Sequence, residues 1–198
     1  MKSTRPYVMT ARAEAVAETR ERILRAIIGL SSHTPLAAIS LAAVAEDAGV
    51  SVQTVLRQFG SRDRLIDAAV DLAHQQIATD RTVAAGDVPA ALSQLVDSYE
   101  AGGDANMLLL GQEPTDHRAA RIATLGRNFH RTWVEDVFAP LLDDAAGPER
   151  EEMIDMLVVA TDVYTWKLLR RDRGLPPDVV KERMKKLAEA VVGGGDHD

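Results

Sequence analysis

Apolar residues recur with a helical period along most of the chain. Between Ala13 and about Ser31, Ile23, Ala26, Ile27 and Leu30 fall at i, i+3, i+4 and i+7, the spacing of one helix face. Ser31 to Pro35 break that pattern. Three helices then follow in close succession. Ser40 is placed to cap a helix over 41–48, and Gly49 supplies the left-handed residue that ends it. Ser51 caps a second helix over 52–58, which Gly60 closes. Ser61 opens a longer one, in which Asp63 sits near the positive end of the dipole. Two short helices joined by a glycine turn and followed by a connecting helix are the rhythm of a helix-turn-helix.

Past about residue 84 the predicted helices lengthen. The spacing predicts a break at 86–89, a helix over 90–101 ended by Gly102 and Gly103, and a short apolar piece over 106–111. A long amphipathic run covers 115–142, with Pro140 near its end. A turn at Ala146, Gly147 and Pro148 leads to a helix over 149–173, and a last helix runs from about residue 178 to 192. The fold class expected is all-α: an amino-terminal three-helix helix-turn-helix DNA-binding module followed by a larger helical bundle. The expected organisation is a module over 1–65 that begins with a flexible arm over 1–12, a bundle over 66–192, and a disordered tail over 193–198.

Composition narrows the picture. At 46% apolar and 4% aromatic, the 198 residues favour helices over strands and are enough for a sizeable core. No apolar run approaches the roughly 18 residues of a membrane span, and the first residues carry charges where a signal peptide would be apolar, so a cytoplasmic protein is expected. With no cysteine, disulfides, thiolate nucleophiles and cysteine-based zinc sites are excluded. The net charge of −7 argues against a protein that coats nucleic acid over its whole surface. Residues 1–70 nevertheless hold nine Lys or Arg against seven Asp or Glu, a net of +2, which leaves −9 for the remainder.

The chemistry concentrates between Leu41 and Leu65. Val44, Val50, Val55 and Phe59 form one apolar face, Ala45 is small enough for a helix crossing, and Gly49 makes the turn. The opposite face of the second short helix presents Gln53, Thr54, Leu56, Arg57 and Gln58. Arg and Gln can bond guanine and adenine edges in pairs of hydrogen bonds, and Thr can reach a phosphate.

From Val44 to Leu65 the sequence VAEDAGVSVQTVLRQFGSRDRL resembles the TetR family of regulators, whose pattern is close to I-A-x-x-A-G-V-S-x-x-T-L-Y-x-x-F-x-x-K-x-x-L. The agreement takes in glycine, caps, core and spacing over about 22 positions. Leu56 stands where the family has tyrosine, Arg62 where it has lysine, and Gln58 where it often has histidine. The resemblance implies double-stranded DNA as a partner. It assigns base reading to Gln53 and Arg57, phosphate contacts to Thr54, Gln58 and Arg62, a helix cap to Ser51, and a thymine-methyl or sugar contact to Leu56. Arg5 and Arg12 would reach the backbone or minor groove as an arm.

The resemblance also implies a homodimer formed through about 149–173 and 178–192. Met153, Met156, Leu157, Ala160, Val163, Tyr164 and Leu168 there fall on a spacing that suits either a core or an interface. A small-molecule effector, of a class the sequence does not identify, would lie between helices of the bundle. Candidate lining residues are Tyr99, Met107, Phe129, His130, Trp133, Tyr164 and Trp166. No cofactor, metal or membrane partner is expected. An enzyme is the competing class, yet no Gly-x-Ser-x-Gly, His-Glu-x-x-His, Walker-type or Gly-x-Gly-x-x-Gly pattern occurs, and His117 and His130 lie too far apart for a helical metal pair. A third reading is a helical interaction module that has lost DNA binding, which Leu56 keeps open.

Overall fold

The computed structural model describes the backbone of residues 5–194 and the side chains of residues 13–194. Among the described residues it is all-helical and divides into two compact units, Met1–Gln75 and Gln76–Asp198. The first unit begins with α1 (Arg5–Ser31). This helix begins inside the arm expected over 1–12, and Pro6 is tolerated in its first turn, where a missing N–H loses no partner. The side chains of Arg5 and Arg12, and residues 195–198 of the expected tail, lie outside the described residues. A 3₁₀ turn (Leu36–Ala38) leads to α2 (Leu41–Asp47), α3 (Val52–Phe59) and α4 (Arg62–Asp80), and the division between the units falls within α4.

The three serine caps form as expected. Ser40 Oγ accepts from Ala43 N–H at 3.1 Å, Ser51 Oγ from Thr54 N–H at 3.1 Å, and Ser61 Oγ from Arg64 N–H at 3.2 Å. Gly49 and Gly60 take φ of 65° and 78°, the left-handed region that a side chain would resist. The caps and glycines fix where α2 and α3 begin and end. The apolar faces then fold onto one small core: Ile23 and Ile27 of α1, Val44 of α2, Val55 and Phe59 of α3, and Leu65 of α4 are all buried.

The second unit contains α5 (Val88–Leu110), α6 (His117–Phe138), a 3₁₀ turn (Ala139–Leu141), α7 (Gly147–Thr161), α8 (Val163–Lys167), a π-helical turn (Leu168–Asp172) and α9 (Pro177–Gly193). Its core is built from Leu92, Leu95 and Val96 of α5, Phe138 of α6, Leu157 of α7, Trp166 of α8, and Val180, Met184 and Ala188 of α9, each at most 1% exposed. Each of the Leu, Val, Phe and Met side chains among them stabilises the fold by about 1.5–3 kcal/mol relative to exposure in water.

Two expectations about these helices need correction. Gly102 and Gly103 do not end a helix; α5 runs through both to Leu110. Gly103 serves packing instead, since a Cβ there would lie 2.5 Å from the Trp166 ring. The helix expected over 149–173 is broken at Asp162, which leaves helical geometry at ψ 154°. The Asp162 carboxylate accepts from Tyr164 N–H at 2.8 Å, capping α8.

Candidate functional site

Two places in the structure gather the candidate residues, one in each unit. In the first unit α3 is held on one side and bare on the other. Val55 and Phe59 are buried; four residues apart, they lie on one face. Arg20 of α1 secures the end of α3, with its guanidinium 4.3 Å from the centre of the Phe59 ring and Nη1 donating to Gln58 O at 3.3 Å. Away from that face Gln53, Leu56 and Arg57 are exposed, and Arg57 makes no ion pair among the described residues. The arrangement is a short, capped helix that offers a bidentate donor and an amide to whatever lies outside.

The other candidates of this unit are more committed. Ser51 and Thr54 bond each other, Oγ to Oγ1 at 2.9 Å, while Ser51 also caps the helix. Gln58 is half-buried. Arg62 is turned inward: Nε donates to Ile39 O at 2.9 Å and Nη2 to Leu36 O. It thereby ties the 3₁₀ turn to the start of α4, satisfying carbonyls that would otherwise lack a partner.

The candidate ligand residues scatter in the second unit. Phe129 and Trp133 line a cavity of about 290 Å³ together with Ala78, Arg81, Val83 and Val137, while the exposed Thr132 and Asp136 stand at its rim. The wall formed by the segment after α4 is pinned to α6 by Gly86 N–H, which donates to Val137 O at 2.8 Å. His130 does not line the cavity but stacks on Trp133, 5.6 Å between centroids. Tyr99 and Trp166 belong to the core. The Tyr99 hydroxyl donates to Thr161 O at 3.1 Å, and Trp166 Nε1 donates to a Glu100 carboxylate oxygen at 2.7 Å. Met107 packs partly buried against that core, and Tyr164 is 54% exposed.

His130 has a defined tautomer. The Thr161 hydroxyl donates to Leu157 O at 2.7 Å, so it accepts from His130 Nε2, 3.0 Å away. The ring is held neutral, its pKa lowered to about 4, first by burial and then by the nearby Arg81 charge, against a smaller opposing pull from Val158. The unfolded chain takes up this proton near the ordinary value of 6.5 and the native state only near 4. Between those values the unfolded state binds more protons, so stability is full above pH 6.5 and falls by up to about 3 kcal/mol as the pH drops to 4. Denaturant titrations at pH 7 and pH 4.5 measure the slope, and His130→Phe is expected to flatten it. An unchanged slope would locate the acid sensitivity elsewhere.

Arg81 is the cavity residue that sequence reasoning missed. One position after Asp80, the last residue of α4, it reads as an ordinary cation at a helix C-terminus, a place normally in water. It is in fact 6% exposed. Nothing local in the sequence separates the two cases. No group of three His, Cys, Asp or Glu among the described residues is arranged to hold a metal ion, and none of the described helices is long and apolar enough to cross a membrane.

Comparison with known proteins agrees with this architecture. Residues 23–69 match the model of the bacterial regulatory proteins of the tetR family. The HTH-type transcriptional repressor KstR of Mycolicibacterium smegmatis is 30% identical over 161 residues, covering 79% of this chain and 78% of that protein. Among solved structures, a transcriptional regulator from Rhodococcus sp. RHA1 superposes with a TM-score of 0.68 at 20% identity, over 90% of this chain and 98% of the other. A TetR transcriptional regulator from the same organism gives 0.55 at 17% identity, over 90% and 99%. A matching amino-terminal segment, a relative alike over most of both chains, and a shared all-helical fold place this chain in the TetR family of bacterial transcriptional regulators.

Proposed function

We propose that the protein is a repressor that binds a pseudo-palindromic operator as a homodimer and is released by a small-molecule effector. The observation that carries the DNA-binding part is the bare face of α3: Gln53 and Arg57 stand exposed on a helix whose ends are capped and whose other side is buried. Set into a major groove, that face reads bases through Arg57 and Gln53, while Thr54 and Gln58 face phosphates. Arg62, engaged with Leu36 and Ile39, acts chiefly by holding the module's shape. The Mycolicibacterium relative is named a repressor, which supports that sign of regulation.

The dimer reading rests on the surface of the last helices. Met156 and Val159 of α7, Tyr164 of α8, Leu168 of the π turn and Leu187 of α9 are 46–67% exposed, all within the segments expected to pair. A second copy would cover them and set two copies of α3 about one DNA turn apart, roughly 34–36 Å. The effector occupies the cavity of the second unit, whose lining begins at Ala78 in the last turn of α4, and it binds the DNA-incompetent state more tightly.

Selection of bound duplexes from a random pool tests the reading. A pseudo-palindromic motif is expected. Arg57→Ala and Gln53→Ala should each cost about 1–3 kcal/mol on the selected site and relax the preference at one position per half-site. No enrichment at low salt from a folded, dimeric preparation would overturn it.

A further inference from the structure

Arg81 is the most buried ion in the second unit that the fold leaves without a counter-charge. Several more accessible arginines of the unit have carboxylates: Arg170 pairs with Glu100 at 3.0 Å, Arg171 with Asp104 at 2.8 Å, and Arg131 with Glu151 and Asp155 at 2.6 Å. Arg81, 6% exposed, has none among the described residues. Its Nη2 donates to the neutral Ser98 hydroxyl at 3.0 Å, its charge lies 5.0 Å from the centre of the Tyr99 ring, and its Nε has no hydrogen-bond partner. A buried charge is normally paired, because removing it from water is costly unless an opposite charge replaces the solvent.

A second orphan stands in the same wall. Trp133 lines the cavity at 8% exposure, and its Nε1–H has no acceptor. Both orphans are donors on residues that line one cavity, whose other walls are Val83, Phe129 and Val137 together with the polar Thr82, Thr132 and Asp136. The one carboxylate on the lining, Asp136, is exposed at the rim and forms no pair with Arg81. The site lacks an acceptor that carries negative charge and is attached to an apolar body. A cavity of about 290 Å³ has room for roughly ten heavy atoms at ~30 Å³ each.

We propose that the effector is a small organic carboxylate with an alkyl or aryl body, whose carboxylate pairs with the Arg81 guanidinium. This rests on the cavity being the effector site and narrows the effector to an anion.

The test uses the full chain without DNA. Octanoate and 3-phenylpropanoate are titrated against 1-octanol and 3-phenylpropan-1-ol, following tryptophan fluorescence and melting temperature. Each carboxylate should bind about 10- to 100-fold more tightly than the alcohol of the same body, the usual size of a charge-assisted bond. Arg81→Met should reduce the carboxylate to the alcohol's affinity, and Arg81→Lys should keep the preference. Arg81→Met should also raise the melting temperature of the unliganded protein, whereas removing a merely structural arginine would lower it. Equal binding of acid and alcohol, unchanged carboxylate binding in Arg81→Met, or no saturation by either acid up to millimolar concentration would overturn the proposal. Operator release is scored separately on the selected duplex. Carboxylates that bind without releasing DNA leave the anion site standing and sink the effector reading; alcohols that bind and release DNA as well as the acids do the reverse.

Discussion

Gly103→Val is expected to destabilise the second unit by about 4 kcal/mol, a large fraction of a domain's usual stability. At this position of α5, a Cβ would lie 2.5 Å from Cζ3 and 2.6 Å from Cη2 of Trp166. The ring cannot give way. It is fully buried, its Nε1 is bonded to Glu100, and the Arg171 guanidinium lies 4.6 Å from its centre. Overpacking commonly costs about 1–3 kcal/mol, and a β-branched group against an immobile ring belongs at or beyond the top of that range. Helix propensity alone predicts the opposite sign, since replacing a mid-helix glycine with alanine gains about 1 kcal/mol. The neighbouring Gly102 has nothing within 4 Å of its Cβ position, so Gly102→Ala should follow propensity and stabilise. Denaturant melts of the two variants should therefore move in opposite directions. Stabilisation by Gly103→Ala as large as that by Gly102→Ala would mean the ring moves freely.

The second large effect concerns assembly. Val159→Glu combined with Leu168→Glu is expected to yield a folded monomer whose affinity for a full operator falls about 10²- to 10⁴-fold, while half-site binding is unchanged. Both side chains are exposed, 67% and 55%, so the charges cost the isolated chain little. In the proposed dimer they would meet their symmetry copies in an apolar interface, where an unpaired carboxylate is strongly disfavoured. The loss follows from linkage: joined modules bind the second half-site at a high effective concentration, and separated ones do not. Sedimentation and operator titration together decide it. A variant that stays dimeric would move the interface off α7 and the π turn.

The first unit was legible in the sequence at nearly every step, because local rules determine it. Ser40, Ser51, Gly49 and Gly60 mark helix ends through groups within three residues of themselves, and the structure places each in that role. The second unit is set by contacts between distant residues. Gly103 reads as a helix end and is instead a seat for a ring 63 positions along the chain. Asp162 reads as the polar face of a helix and is a cap that starts a new one. Periodicity placed Met153, Met156, Leu157, Ala160, Val163, Tyr164 and Leu168 on helices without dividing them. Packing does so, burying Leu157, Ala160 and Val163 and leaving Met156, Tyr164 and Leu168 to solvent. The aromatic candidates failed to single out one site for the same reason: rings fill cores and line cavities with the same spacing, and only Phe129 and Trp133 among them reach the cavity.

The π turn at Leu168–Asp172 has a genealogical consequence. A π turn holds one residue more than an α turn, and here the extra residue lets the consecutive Arg170 and Arg171 both face α5, one on Glu100 and one on Asp104. Removing a single residue from this turn would let it close as ordinary α-helix and surrender one of those pairs, while the loop before Pro177 absorbs the change ahead of α9. Chain length can therefore drift by one residue at this point at the cost of one ion pair, the largely buried Arg170–Glu100 or the more exposed Arg171–Asp104. Descendants of a common ancestor should differ in length at this turn sooner than in the buried helices on either side.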